Sequence, residues 1–240
     1  MSILAVIPAR YDSSRFPGKP LADIGGKSMI QRVYEQAKSV DILDRVIIAT
    51  DDSRIFEHAQ KLGAEVMMTS TKHINGTERI AEVVRNLNQE FDAVINIQGD
   101  EPFIQPKQIA LLCDIIESSD SPIASLCKEI IDDQELASPN TVKVVMNKEQ
   151  KALYFSRFPI PFRRNKESIK PYYKHIGMYA FKSKLLNKLI ELPVSQLELA
   201  ESLEQLRWLD SGFSIAMGIT DCDSIGIDTP EDLIKALDKL

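Results

Sequence analysis

Residues 3–21 read Ile3-Leu-Ala-Val-Ile7-Pro-Ala-Arg10-Tyr-Asp-Ser-Ser-Arg15-Phe-Pro-Gly18-Lys19-Pro-Leu21. The first five are apolar without alternation, the pattern of a strand buried on both faces of a parallel sheet. The polar segment that follows then lies at the carboxyl edge of that sheet, where open α/β folds bind ligands. Arg10, Arg15 and Lys19 fall close together there, with Ser13, Ser14 and Gly18 among them. Several cations and free backbone N–H groups are what a triphosphate requires. The segment lacks the Gly-x4-Gly-Lys-Ser/Thr spacing of a P-loop. An ordinary solvated loop with three charges is the plainer alternative.

Outward from this stretch the pattern repeats. Residues 45–49, 65–68 and 93–97 are further apolar runs. Met29, Ile30, Val33 and Ala37 fit one helical face, and Ile55, Ala59 and Leu62 another, with Gly63 as a stop. Ile80, Val83, Val84 and Leu87 give a third. Strand–helix alternation to about residue 116 predicts βαβ units and a parallel sheet covered on both faces. Beyond it, residues 141–146 and 152–155 read as strands around a polar turn at 147–150, and residues 172–181 and 213–217 as further strands. Residues 197–209 read as one helix, with Leu199, Leu203 and Leu206 toward the core and Trp208 near its end. Its Glu198, Glu201, Glu204, Gln205 and Arg207 read mainly as a solvated face. Pro159, Pro161 and Pro171 bracket a basic excursion (Arg163, Arg164, Lys166, Lys170), either a surface loop or a subunit-contact arm. The expectation is one domain over 1–240 with an arm inserted at about 150–172.

The chain has 240 residues, 44% hydrophobic and 27% charged, which excludes disorder. Its apolar runs fall far short of the ~20 residues that span a bilayer, and no secretory leader is expected. Three cysteines without a Cys-x2-Cys pair point to reduced thiols in a cytosolic compartment. A net charge of −6 disfavours nucleic acid as a partner, so any anion site must be a local cluster of cations. His58, His73 and His175 are too scattered to suggest zinc. Neither a Gly-x-Ser-x-Gly elbow nor a Gly-x-Gly-x-x-Gly fingerprint occurs, so hydrolase and dehydrogenase readings lack support.

Other constellations carry chemistry. In Gln98-Gly-Asp-Glu-Pro102, Asp100 would project from a strand end into the same crevice, and Gly99 would allow close backbone approach. One or two carboxylates suffice to hold a hard cation on phosphates. Turn chemistry explains the segment equally well. In Gly226-Ile-Asp-Thr-Pro-Glu-Asp-Leu233, Thr229, Pro230 and Asp232 suit the N-cap, N1 and N3 positions of a helix. Asp228 is then spare, and a second metal ligand is one use for it. Asn75, Gly76 and Thr77 precede a helix, where N–H groups meet ligands; a plain cap with Thr77 as N-cap is the alternative. His175 and Tyr179 share one strand face with Gly177 clearing room between them. A lone histidine is more often structural.

Taken in order, Ile7-Pro-Ala-Arg-Tyr–x4–Phe-Pro-Gly-Lys-Pro-Leu21, Asn75-Gly-Thr-Glu-Arg79, Asn96-Ile-Gln-Gly-Asp-Glu-Pro102, Val142-Lys-Val-Val145, Tyr154-Phe-Ser-Arg157, His175-Ile-Gly-Met-Tyr179, Leu203-Glu-Gln-Leu-Arg207 and Gly226-Ile-Asp-Thr-Pro-Glu-Asp232 resemble the 3-deoxy-manno-octulosonate (Kdo) cytidylyltransferases. The resemblance runs from residue 3 to about 234. It implies a Rossmann-like nucleotidyltransferase fold of the α/β class, with a central mixed, mostly parallel sheet, helices on both faces and a dimerisation arm. It implies CMP transfer from CTP to Kdo for lipopolysaccharide synthesis, by a cytoplasmic, Mg²⁺-dependent homodimer without nucleic-acid or membrane partners. By position, Pro8, Ala9, Arg10, Arg15, Lys19, Asn75, Gly76, Thr77 and Arg79 would bind the nucleotide. Asp100 and Asp228 would hold Mg²⁺ and, with Arg10, Arg15 and Lys19, carry catalysis. Gln98, Arg157, His175, Tyr179, Glu204 and Gln205 would line the sugar pocket. Position 75 is Asn where the family usually has Ser. Open alternatives are 8-amino-8-deoxy-Kdo or another acid sugar such as sialic acid as acceptor, and a non-catalytic nucleotide-binding protein of the same fold.

Overall fold

The computed structural model describes residues 1–13, 16–165, 171–223 and 226–237. The first apolar run forms β1 (Ile3–Ala9), buried along almost its whole length. It lies between two parallel partners, β4 (Arg45–Thr50) and β6 (Ala93–Asn96). Chain order places β2 (Asp23–Ile24) and β3 (Lys27–Ser28), a small separate hairpin, before α1 (Met29–Lys38). Then come α2 (Ser53–Lys61), β5 (Val66–Met68), α3 (Gly76–Asn86), α4 (Pro106–Ser118) and β7 (Ile123–Ile130). The second half holds α5 (Asp133–Ala137), β8 (Lys143–Met146), β9 (Ala152–Ser156), β10 (Tyr172–Lys182), α6 (Leu186–Ile190), α7 (Gln196–Glu201), α8 (Gln205–Asp210), β11 (Ile215–Ile219) and α9 (Pro230–Leu237). Among the described residues the main sheet runs β11-β7-β10-β6-β1-β4-β5, with β8 on β10 and β9 on β8.

Strand β10 is antiparallel to both β6 and β7, whereas β11 is parallel to β7. The sheet is therefore mixed and mostly parallel along its main path. Period-two geometry sorts β1 between two cores. Ile3, Ala5 and Ile7 pack with Ile30, Val33, Ile55 and Leu112 from α1, α2 and α4. Leu4 and Val6 pack on the opposite face with Ile80 and Val83 of α3 and with Phe181 and Trp208. Helices thus cover both faces, as expected.

Three expectations are corrected. Residues 197–209 are two short helices, because Ser202 turns into the left-handed region (φ 53°) and ends α7. Leu199 is exposed as a result, while Leu203 and Leu206 stay buried. The glutamates of this segment are not a solvated face: Glu198 pairs with Arg207 Nε at 2.6 Å, and Glu201 accepts from Ser156 Oγ at 2.6 Å and from the Arg157 backbone N–H at 2.8 Å. The N-cap of α3 is Asn75 rather than Thr77; its side chain accepts from the Glu78 N–H at 2.9 Å. Strand β7 escaped the sequence reading because Ser125 and Lys128 interrupt its apolar run.

Candidate active site

The ends of β1 and β6 open onto a cleft of 580 Å³ lined by Pro8, Ala9, Arg10, Lys19, Gln98, Gly99, Asp100 and Asp228 among others. After β1 the chain turns back on itself, the Gly18 N–H donating to the Tyr11 carbonyl at 2.8 Å. Gly18 has φ 72°, and a Cβ there would stand 3.1 Å from the Tyr11 ring, so glycine is required. Lys19 follows at once and reaches into the cleft. Gly99 permits the approach of β6: a Cβ on it would sit 2.6 Å from the Pro8 carbonyl oxygen.

Lys19 Nζ donates to Asp100 Oδ2 at 2.8 Å and to Asp228 Oδ1 at 3.1 Å. These carboxylates lie 128 residues apart (228 − 100). The Ile227 N–H bonds the Asp100 carbonyl at 2.9 Å, and Ile227 is buried with Ile24 and Met29 in a small core that Phe16, Phe103 and Leu233 also join. Thr229 and Asp232 cap α9 reciprocally, Asp232 N–H to Thr229 Oγ1 at 3.2 Å and Thr229 N–H to Asp232 Oδ2 at 3.0 Å. This is the expected capping box; the Asp228 N–H also donates to Asp232 Oδ2 at 3.2 Å, while the Asp228 side chain meets Lys19.

Arg10 donates to the carbonyls of His73 and Ile74, which fixes the loop before α3 against the cleft. Burial, and secondarily the Arg79 charge, pull the Arg10 pKa down. Arg79 departs from its expected place along the nucleotide. Its guanidinium is fully buried, pairs with Asp51 Oδ2 at 2.6 Å, and also meets Thr69. It braces the floor beneath the loop. Gly76 faces Pro8, with 3.4 Å from an added Cβ to Pro8 Cγ. Arg15 lies outside the described residues.

Of the residues expected around the sugar, Gln98 lines this cleft and Glu204 a second cavity that shares Ile74 with it. Gln98 Nε2 donates to the Gly177 carbonyl at 2.8 Å, joining the cleft to β10. A Cβ on Gly177 would meet only Gln98 Cγ, at 3.9 Å, so the space beside it is open and no protein neighbour requires glycine there. His175 and Tyr179 share a face, ring centroids 5.3 Å apart. Burial holds the His175 pKa down to about 3, so the ring is neutral. Burial, with the nearby Glu204 charge, raises that of Tyr179, whose buried hydroxyl has no partner among the described residues. Thr77 Oγ1 donates to Glu204 Oε2 at 3.1 Å. Burial pushes the Glu204 carboxyl up to about 7 against the opposing Thr77 hydrogen bond. Glu204, Asn75 and Ile74 line a second cavity of 340 Å³, and Ile74 lines the first as well. Gln205 is buried. Arg157 lines neither cavity; its guanidinium donates to the carbonyls of Glu201 (2.7 Å), Pro139 (3.0 Å) and Ser202 (3.4 Å).

Three residues escaped the sequence reading. Asn96, at the end of β6, has a buried Oδ1 without a partner among the described residues. Asp51 and Ser125 act through others, Asp51 on Arg79 and Ser125 on His175. A polar residue closing or interrupting an apolar strand was the available signal for all three.

Comparison with known proteins identifies the family. The family model for cytidylyltransferases matches residues 4–217. The 3-deoxy-manno-octulosonate cytidylyltransferase of Parabacteroides distasonis is 50% identical, over 99% of this chain and 97% of its own. That of Bacteroides thetaiotaomicron is 51% identical, over 98% and 97%. A solved structure of CMP:2-keto-3-deoxy-manno-octonic acid synthetase complexed with CTP is 45% identical and superposes with a TM-score of 0.94, over 100% of this chain and 98% of that one. The 4-diphosphocytidyl-2C-methyl-D-erythritol synthase of Anaerococcus prevotii is 18% identical, with a TM-score of 0.65 over 99% and 97%, and shares the fold alone. Matches of this extent, on a chain whose cleft gathers the motif residues, mean that it belongs to the 3-deoxy-manno-octulosonate cytidylyltransferase family.

Proposed function

We propose that this chain transfers CMP from CTP to the anomeric hydroxyl of Kdo, giving CMP-Kdo and diphosphate for lipopolysaccharide assembly. The observation that carries the reading is the meeting of Asp100 and Asp228 on Lys19 Nζ, inside a cleft that Arg10 also lines. The names of the relatives specify Kdo, which does not favour the 8-amino sugar or a non-catalytic protein. The sugar hydroxyl oxygen bonds to the α-phosphorus, the bond to the departing diphosphate breaks in line, and the hydroxyl proton leaves to solvent. Both substrates are anions, so their approach is opposed by charge. Lys19, Arg10 and Arg15 offset that repulsion and hold the triphosphate. Pro8, Ala9, Asn75, Gly76 and Thr77 lie along the nucleotide, with Arg79 bracing the loop that leads into α3. Gln98, His175, Tyr179, Glu204 and Gln205 line the sugar side, and Arg157 receives the sugar carboxylate.

Mg²⁺ is part of the proposal. Two carboxylates that share one cationic centre, with no nitrogen or sulfur donor, fit a hard ion that takes its remaining ligands from phosphate and water. Bound between Asp100 and Asp228, it would neutralise charge on the triphosphate and the leaving diphosphate. A homodimer joined through the arm and a cytoplasmic location complete the reading; among the described residues no helix is long and apolar enough to cross a membrane.

The test is diphosphate release from CTP with Kdo and with its 8-amino analogue, in Mg²⁺ and in EDTA. Turnover is expected with Kdo and Mg²⁺ and is lost in EDTA. Asp100→Asn is expected to lower kcat by about 100-fold or more with an unchanged circular dichroism spectrum. Near-normal turnover in that variant removes Asp100 from the chemistry.

A further inference from the structure

His175 Nε2 lies 2.9 Å from Ser125 Oγ, on the neighbouring strand β7. The same hydroxyl stands 2.8 Å from the Met178 carbonyl oxygen and 3.2 Å from that of Ile176. These carbonyls flank a bulge in β10, where the register with β7 shifts between Ile176 and Tyr179. A serine hydroxyl has one proton, and a carbonyl oxygen can only accept. The proton goes to the nearer carbonyl, that of Met178, because placing it on the ring would leave both carbonyl oxygens, at 2.8 and 3.2 Å, facing bare lone pairs of the hydroxyl instead of the longer contact alone. The Ser125 oxygen is then left as an acceptor toward the ring, and the group that meets it must be an N–H. We infer that Ser125 is a positioning residue: it fixes His175 as the Nε2–H tautomer and so leaves Nδ1 as a bare acceptor for a hydroxyl of the acid sugar. The partner of one ring nitrogen sets what the other can do.

The surroundings reinforce this. Phe155 packs edge-on to the ring at 5.0 Å between centroids and Tyr179 at 5.3 Å, so the imidazole has little freedom to turn over. Desolvation keeps it uncharged, so one nitrogen must be bare. Nδ1 has no hydrogen-bond partner among the described residues. Ser125 is itself fully buried and does not reach a ligand; it acts only through the ring. The same bulge presents the Gly177 carbonyl to Gln98, so one irregularity of β10 orients two of the proposed sugar contacts.

The inference rests on His175 facing the sugar, and the experiment separates the two. Ring-nitrogen NMR on the ¹⁵N-labelled full chain, with His175 assigned by comparison with His175→Asn, reads the tautomer directly and needs no folded Ser125 variant. A protonated Nε2 and bare Nδ1 are expected, and a protonated Nδ1 overturns the inference. In Ser125→Ala the single tautomer is lost, and KM for Kdo rises about tenfold, the worth of one hydrogen bond, while KM for CTP stays put. In the His175→Asn background the same change alters KM for Kdo less than about twofold, because the coupling runs through the ring. An equal rise in both backgrounds makes Ser125 a brace for the bulge only and overturns the inference. If His175→Asn alone leaves KM for Kdo unchanged, the sugar-pocket reading of His175 fails instead.

Discussion

Glu204 shows how one buried side chain links the site to stability. Its carboxyl is held near pKa 7 by burial, whereas an unfolded glutamate titrates near ~4.3. Between those values the folded chain binds a proton that the unfolded chain has released, so this group's contribution to stability falls as pH rises toward 7 and is at its lowest above it. Glu204→Gln keeps an acceptor for Thr77 and removes the penalty. Its melting temperature is expected to exceed that of the parent at about pH 8.5, at ~2–4 °C per kcal/mol for a chain of this size, and to match it at about pH 4. Equal melting at both pH values rules out a buried, charge-penalised carboxyl. Asp51 is the opposite case. It compensates the fully buried Arg79, so Asp51→Ala leaves a stranded charge and is expected to lower stability by about 3–5 kcal/mol in urea titration. A loss below about 1 kcal/mol, the range of a surface pair, contradicts a buried pair.

At the scale of elements, α3 explains the departure from the family motif at position 75. Asn75 is the N-cap, and Asn and Ser are near-equal in that role, so the substitution preserves the helix start and leaves Thr77 free for Glu204. Asn75→Ser is expected to change stability by a few tenths of a kcal/mol at most, and Asn75→Ala to cost about 1 kcal/mol, both read by denaturant midpoint. Comparable losses in the two variants would mean that Asn75 acts through something other than the cap. The 197–209 segment shows where element reading from pattern fails. Its leucines keep helical spacing, but the left-handed turn at Ser202 breaks the run and aims Glu201 and Glu204 inward. Periodicity records which residues are apolar; it does not record that a polar one has a partner waiting on a distant strand.

At the scale of the molecule, the segment after β9 leaves large apolar groups outside. Phe158 is 73% exposed and Phe162 86% exposed, and Leu153 on β9 is 60% exposed. Exposed aromatic groups so close together in sequence fit the subunit contact proposed for the arm. Light scattering on the eluting protein is expected to give a dimer for the parent chain and a monomer for Phe158→Ser/Phe162→Ser; a monomeric parent removes the arm from that role. The cleft is also a property of the whole chain. Lys19 comes from the turn after β1, Asp100 from the end of β6, and Asp228 from the approach to α9, and only the folded sheet and its small flanking core bring both carboxylates within 3.1 Å of Lys19 Nζ.

Local chemistry was enough to read much of this from the chain: unbroken apolar runs mark strands buried on both faces, glycine at position 99 marks a close approach, and Thr-Pro-Glu-Asp at 229–232 marks a helix start. Each depends on residues within a few positions of one another, so spacing alone conveys it. The interruption of residues 197–209, the burial of Arg79 under the loop, the hold of Ser125 on His175 and the shared lysine between Asp100 and Asp228 depend on partners 10 to 209 residues away. Hydrogen bonds and desolvation are set by distance in space, and only the folded chain defines that distance.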